Sequence, residues 1–293
     1  MKIHIRLLAI VCFLVSGFVL NGQTLRQKIA GVAQNKTATI GVAVFAGDSV
    51  FLFNNEEKYP LMSVFKFHVA LSVLQKMERN HVDLSTEVRI RSSQMEKNTY
   101  SPLREKYPDQ DFTISYGELI RYSISESDNN ACDLLIDYAG GVEQVNDDIN
   151  RIGISGCVLR ESEKTMHEDL NKCYNNWSTP YAMACLLKKV YEGDILTGEY
   201  KKYLEKVMIQ TSTGGDKIRA GLPKNIRLGH KTGSSDRVEG NVKIGDNDAG
   251  VIYLPDGKQY YLAVFIKDSK ESDKVNAAII SQIARIVFQN TPK

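Results

Sequence analysis

The feature that most restricts the fold of this chain is where its strand-like residues lie. They sit at the two ends, with a long helical stretch between them. Residues 37–45 (TATIGVAVF) are apolar and β-branched, and Ala46-Gly47-Asp48 is a turn signal before residues 49–53, so the two segments read as a hairpin. Strand patterns return only after Ile226, over 227–231, 241–244, 249–254 and 260–266. Pro255-Asp256-Gly257 supplies the turn between the last two, and Asp246-Asn247-Asp248 reads as another turn. Residues 64–77, 116–138, 142–152 and 179–191 carry apolar residues at helical spacing, and Ser178-Thr179-Pro180 is a helix start. Residues 24–33 and 272–288 add a helix at each end. The economical arrangement is an α/β (α+β) chain: one five-stranded antiparallel sheet built from both ends, flanked by terminal helices, with an all-helical lobe inserted. The expected division is a discontinuous α/β domain, 23–60 with 212–293, and a helical domain, 61–211. The cleft between them is the natural place for chemistry.

The first 22 residues stand apart. Lys2 and Arg6 precede an apolar run over 7–20, and Asn21-Gly22-Gln23 turns polar. That is the pattern of a secretory signal peptide, with cleavage expected near Gly22 or Gln23. No later run is long enough to span a bilayer. Without the leader, basic and acidic residues balance at 35 each, so neither a nucleic-acid nor a polybasic membrane role follows. Cys12 falls in the leader. Cys132, Cys157, Cys173 and Cys185 remain, with no C-x-x-C and no zinc spacing, and are expected to be small buried residues rather than a disulfide framework. His68, His81, His167 and His230 also lack metal-ligand spacing, and no metal or cofactor is expected.

Three short strings carry potential chemistry. Ser63-Val64-Phe65-Lys66 opens the first long helix of the insert. A lysine three residues after a serine lies one helical turn away on the same face, where its amine can contact the hydroxyl and, when neutral, accept its proton. A helix start also offers free N–H groups to an oxyanion. Ser127-Asp128-Asn129 supplies a hydroxyl that can relay a proton and an amide that can hold a substrate amide. Lys231-Thr232-Gly233 offers a cation and a hydroxyl suited to a carboxylate, and a glycine where a substrate lies against backbone.

In this order, these are the S-x-x-K, S-D-N and K-T-G strings of class A β-lactamases and penicillin-binding proteins. The chain resembles a class A serine β-lactamase over nearly its whole mature length. The resemblance implies a β-lactamase/transpeptidase-like fold and hydrolysis of penicillins and cephalosporins through a serine acyl-enzyme. It implies Ser63, Lys66 and Ser127 as catalytic residues, with Asn129, Lys231, Thr232, Gly233, Ser234 and Tyr100 binding substrate. The family's deacylating glutamate falls on Glu163, in Arg160-Glu-Ser-Glu-Lys-Thr-Met-His167. Where the usual pattern ends in asparagine this chain has His167, which is similar to the PER-like extended-spectrum branch and suggests a broad cephalosporin range. A competing register would put the base at Glu168. The substrate carboxylate needs a cation, with Lys217, Arg219 and Arg237 as candidates, while His230 reads as a strand residue. Small-molecule β-lactam substrates and inhibitors are the implied partners of a monomeric, periplasmic protein. A penicillin-binding D-alanyl-D-alanine peptidase and a non-catalytic lactam sensor are the rival readings.

Overall fold

The structure, a computed structural model, describes residues 22–291, so the leader assigned to 1–22, apart from Gly22, lies outside the described residues. Helix α1 (Gly22–Ala33) leads into the hairpin β1 (Thr39–Ala46) and β2 (Ser49–Phe53). After the two-residue β3 (Tyr59–Pro60), a single 3₁₀ turn over Met62–Val64 feeds α2 (Phe65–Arg79). The inserted lobe continues with β4 (Glu87–Ile90), α3 (Pro102–Lys106), β5 (Phe112–Ser115), α4 (Tyr116–Ser125), α5 (Asn129–Ala139) and α6 (Val142–Arg151). Then come β6 (Cys157–Val158), α7 (Glu163–Glu168), β7 (Trp177–Ser178), α8 (Pro180–Glu192), α9 (Gly198–Ile209) and α10 (Ile218–Gly221). The chain closes with β8 (Arg227–Ser234), β9 (Arg237–Val238), β10 (Val242–Tyr253), β11 (Gln259–Ser269) and α11 (Asp273–Asn290).

The main sheet is antiparallel in the order β2-β1-β11-β10-β8, with the short β9 added alongside β10. Its five long strands come from both ends of the chain, as the strand pattern implies. Both faces are covered, which is why the strands read as nearly continuous apolar runs rather than as an alternation with polar residues. Val42 and Val44 point to one core with Leu262, Val264 and Ile283, under α1 and α11. Ala43 and Phe45 point to the other with Ala263 and Phe265, a core that runs on without a break into the inserted lobe. At its centre, α2 buries residues on every side, Phe65, Phe67, Val69, Leu71 and Val73 among them. A helix apolar all round is a core helix. Of the cysteines, Cys132, Cys157 and Cys173 are buried free thiols and Cys185 is partly buried.

Two sequence expectations are corrected. The helix expected over 116–138 is broken into α4 and α5. Ser127 adopts the left-handed region (φ 61°), and Asp128 then caps α5 by accepting from Ala131 N at 2.8 Å. The inserted lobe is otherwise helical, apart from the ribbon of β4 with β5 and the small sheet of β3, β7 and β6. The second correction concerns Asp246-Asn247-Asp248, which is not a turn. It lies inside β10, paired with Ser234, Gly233 and Thr232 of β8. Polar residues survive in a central strand only when each finds a partner, and these do. Asp248 pairs with His230 Nδ1 at 2.9 Å and accepts from Ile218 N at 3.0 Å. Asn247 is fully buried, donating from Nδ2 to the carbonyls of Pro60 (2.7 Å) and Leu61 (3.1 Å) while its Oδ1 accepts from Ile266 N (3.1 Å).

Asn247 therefore fastens the sheet to the backbone just before Ser63. Substituting Asn247→Ala removes the side-chain partners of the buried Pro60 carbonyl and of Ile266 N, while Leu61 O keeps Val64 N at 3.2 Å, and is expected to lower unfolding free energy by about 1–3 kcal/mol. Chemical denaturation of parent and variant measures this.

Candidate active site

The site is assembled at the junction of α2, α5, the loop carrying α7, and β8. Ser63 sits in the 3₁₀ turn that leads into α2, preceded by Met62 in the left-handed region (φ 47°). Positive φ is unusual for a non-glycine residue and is tolerated where surrounding structure over-determines it. Here the over-determination is visible: Leu61 N donates to the Asn176 carbonyl, and Leu61 O accepts from Asn247. Gly233 of β8 passes close by. A Cβ built there would lie 2.6 Å from Leu61 O and 2.9 Å from Ser63 N, so only glycine lets the strand run against the serine turn.

Lys66, one turn along from Ser63, is completely buried. Its Nζ donates to Ser63 Oγ at 2.8 Å and to Asn129 Oδ1 at 2.8 Å, and is ion-paired with Glu163 Oε1. Asn129 is held from its other side by its Nδ2 donating to Thr99 Oγ1 at 2.7 Å. Across the cleft, the equally buried Lys231 donates from Nζ to Ser127 Oγ at 2.9 Å and to the Thr232 carbonyl at 2.9 Å. Burial, and then the Lys66 charge, hold the Lys231 ammonium well below the usual lysine range. Asp128, between Ser127 and Asn129, faces away from the cleft and accepts from Ser101 Oγ, Leu103 N and Ala131 N. Its role is to lock the two residues that flank it.

The loop that carries Glu163 is built around two polar anchors. Asn176 accepts at Oδ1 from Arg160 N (2.8 Å) and Glu161 N (2.9 Å), and donates to the Glu161 carbonyl (2.8 Å). Asp133 of α5 accepts from two consecutive amides, Glu163 N and Lys164 N, each at 2.8 Å. Burial, and then the neighbouring Glu163 carboxylate, push the Asp133 carboxyl up to about 7. Sequence reasoning missed Asp133. Its signal is position: four residues after Asn129 on the same helix, it shares Asn129's face. Glu168, the competing base, is exposed five residues further on.

These groups front a cavity of about 850 Å³ lined by Ser63, Tyr100, Ser127, Asn129, His167, Thr232, Gly233 and Ser234. Tyr100 stands at its edge with 57% of its surface exposed. Lys66 and Lys231 lie just behind this wall. A smaller adjoining pocket of about 280 Å³ is lined by Asn129, Asp133, Glu163 and His167. Of the three candidate cations, Lys217 alone lines the larger cavity, where its Nζ donates to Ser234 Oγ at 3.0 Å. Arg219 turns to the carbonyls of Ile226 and Pro223, and Arg237 to the Asn241 carbonyl, the Glu271 carbonyl and Asp273. His230 is a buried strand residue paired with Asp248 and does not reach the cleft lining.

The arrangement has the parts of an acyl-transfer site: a hydroxyl beside an amine, a carboxylate sharing that amine, a second hydroxyl beside a second amine, and a cationic end. Comparison with known proteins agrees. A sequence profile of the beta-lactamase enzyme family matches residues 24–291. A β-lactamase of Bacteroides uniformis is 49% identical over 266 residues, covering 90% of each chain. The extended-spectrum β-lactamase PER-1 of Pseudomonas aeruginosa is 36% identical over 267 residues, covering 90% of this chain and 86% of its own. Among solved structures, a class A β-lactamase from Bacteroides cellulosilyticus superposes with a TM-score of 0.90 at 48% identity, covering 92% of this chain and 97% of the other. The chain belongs to the β-lactamase enzyme family and is a class A serine β-lactamase with kinship to the PER-like branch.

Proposed function

We propose that Ser63 is the nucleophile with which this β-lactamase opens the ring of penicillins and cephalosporins, and that Glu163 frees it again. As a class A enzyme the protein hydrolyses β-lactams, the chemistry that gives antibiotic resistance. The observation that carries the residue assignment is the buried Lys66 ammonium, which touches Ser63, Asn129 and Glu163 at once.

In acylation, Ser63 Oγ bonds to the lactam carbonyl carbon and the ring C–N bond breaks. The serine proton leaves by one of two routes: to Lys66 once that amine has passed its own proton to Glu163, or to Glu163 through a water. N–H groups of Ser63 and Ser234 hold the oxyanion. Because Ser127 Oγ already accepts from Lys231, its own proton is free to pass to the departing ring nitrogen, and the proton gained by Glu163 returns through Lys66 to replace the one Ser127 gave up, leaving Glu163 ionised for deacylation. Lys231, Thr232 and Lys217 bind the substrate carboxylate, Asn129 the side-chain amide, and Gly233 and Tyr100 border the substrate. In deacylation, Glu163 takes a proton from water, the water oxygen bonds to the ester carbon, and the C–Oγ bond breaks with return of a proton to Ser63.

His167 at the mouth of the cleft and the likeness to an enzyme described as extended-spectrum support a broad cephalosporin range. The basic tip and apolar run of residues 1–22 support export to the periplasm, and no helix among the described residues is long and apolar enough to cross a membrane. The strand and helix distribution supports a division into 23–60 with 212–293 and 61–211, and a monomer acting on small-molecule lactams completes the reading.

Two experiments follow. Glu163→Ala is expected to accumulate an adduct whose mass equals protein plus intact lactam, with nitrocefin turnover down by roughly 10²–10⁴-fold. Glu168→Ala serves as the control that keeps parental rates. Turnover of Glu163→Ala at the parental rate would move the base elsewhere. The second experiment tests Asp133. Its folded pKa of about 7 lies above the ordinary 3.8, so between those values the folded chain retains a proton that the unfolded chain has lost. The Asp133 contribution to stability therefore falls as pH rises from about 4 to about 7 and levels off above, a loss that Asp133→Asn does not share. Denaturation at a series of pH values is expected to show the difference moving in the variant's favour across that window.

A further inference from the structure

The cation at the carboxylate end of the cleft is not free to bind. Lys217 Nζ donates to Asp246 Oδ1 at 2.5 Å and to the Asn247 carbonyl at 3.3 Å, as well as to Ser234 Oγ. Ser234 Oγ in turn donates to the same Asp246 oxygen at 2.6 Å. The three groups close a triangle in which one carboxylate oxygen receives both the ammonium and the hydroxyl proton. Asp246 is 2% exposed and lies on β10 directly opposite Ser234, with its carboxylate on the cavity wall. A second ammonium, Lys243, stands 3.8 Å from the other Asp246 oxygen and is shared with Asp273 at 3.0 Å.

An incoming carboxylate meets this arrangement with two handicaps. The nearest oxygen of Asp246 carries the same charge as the substrate, and its near-complete burial weakens the solvent screening between them. The Ser234 hydroxyl has already committed its proton to Asp246, so it presents only lone pairs to an anion. Lys243, which lines the same cavity, offsets part of the Asp246 charge.

Resting on the assignment of Lys217 to the substrate carboxylate, the geometry points to Asp246 as a specificity-determining residue that competes with the substrate carboxylate for Lys217 and for the Ser234 proton. It sets how tightly acid-bearing lactams bind, while the acyl-transfer groups around Ser63 stand apart from it. The class of ligand it discriminates against is the free carboxylate form of a lactam, relative to a lactam whose acid is masked.

The test is the isosteric Asp246→Asn, which keeps an oxygen for Lys217 and Ser234 and removes the charge. With benzylpenicillin its KM is expected to fall by about 3- to 10-fold with kcat within about twofold of the parent, and with benzylpenicillin methyl ester kcat/KM is expected to stay unchanged. In a Lys217→Met background the effect of Asp246→Asn should shrink, because only the Ser234 proton and the direct repulsion remain. A rise in benzylpenicillin KM, a change confined to kcat, or an equal change for acid and ester would overturn the inference and leave Asp246 as a structural counter-ion. If Lys217→Met by itself leaves benzylpenicillin KM untouched, the carboxylate assignment fails instead. Lys243→Gln provides a second reading on folded protein with Asp246 intact. Its benzylpenicillin KM is expected to rise without a change for the ester and only while Asp246 is present; an unchanged KM, or the same rise in an Asp246→Asn background, counts against the competition.

Discussion

A lysine ammonium with no access to water has to be surrounded by protein oxygen, and at Lys66 this requirement organises the molecule. Its three oxygens come from three places: the turn before α2, the first residue of α5, and the first residue of α7. Displacing any one of those elements would leave a buried charge short of a partner. Each is accordingly tied from behind, Ser63 through the Leu61 backbone, Asn129 through Thr99, and Glu163 through the paired amides on Asp133. Ser63 and Glu163 are thus neighbours because one cation needs both.

The backbone bears the cost of that convergence. Met62 and Ser127 occupy left-handed conformations unfavourable to residues with a Cβ; Met62 adjoins Ser63, and Ser127 itself lines the cleft. Gly233 performs the complementary task, since the absence of a side chain lets β8 run against the serine turn. Strain and close approach fall at the same place, where a strand edge, a helix start and a break between α4 and α5 meet. The rest of the inserted lobe is ordinary helix packing around α2.

The sheet's split origin, the terminal helices and the helical insert were legible because hydrophobic period and turn residues are local properties. So were the three strings, each of which places its groups within four consecutive positions. What escaped was decided by partners far away in sequence. Asp246-Asn247-Asp248 looks like a turn on propensity, and becomes strand only because Lys217, His230 and the Pro60 and Leu61 carbonyls satisfy it. The break at Ser127 is hidden in an otherwise continuous helical pattern. Asp133 acquires its purpose only once the loop of residues 160–179 folds back on α5. Among Lys217, Arg219 and Arg237 the composition offers no choice, whereas position against the cavity wall separates them.

The central sheet has a consequence for how the molecule comes into being. β1 pairs along its whole length with β11, yet residues 47–258 separate them in the chain. As the polypeptide is synthesised, β1 is made early and has only β2 as a strand partner until β11 emerges. Pairings this distant close slowly, because the intervening loop must lose its freedom first. Completion of the sheet is therefore a late event.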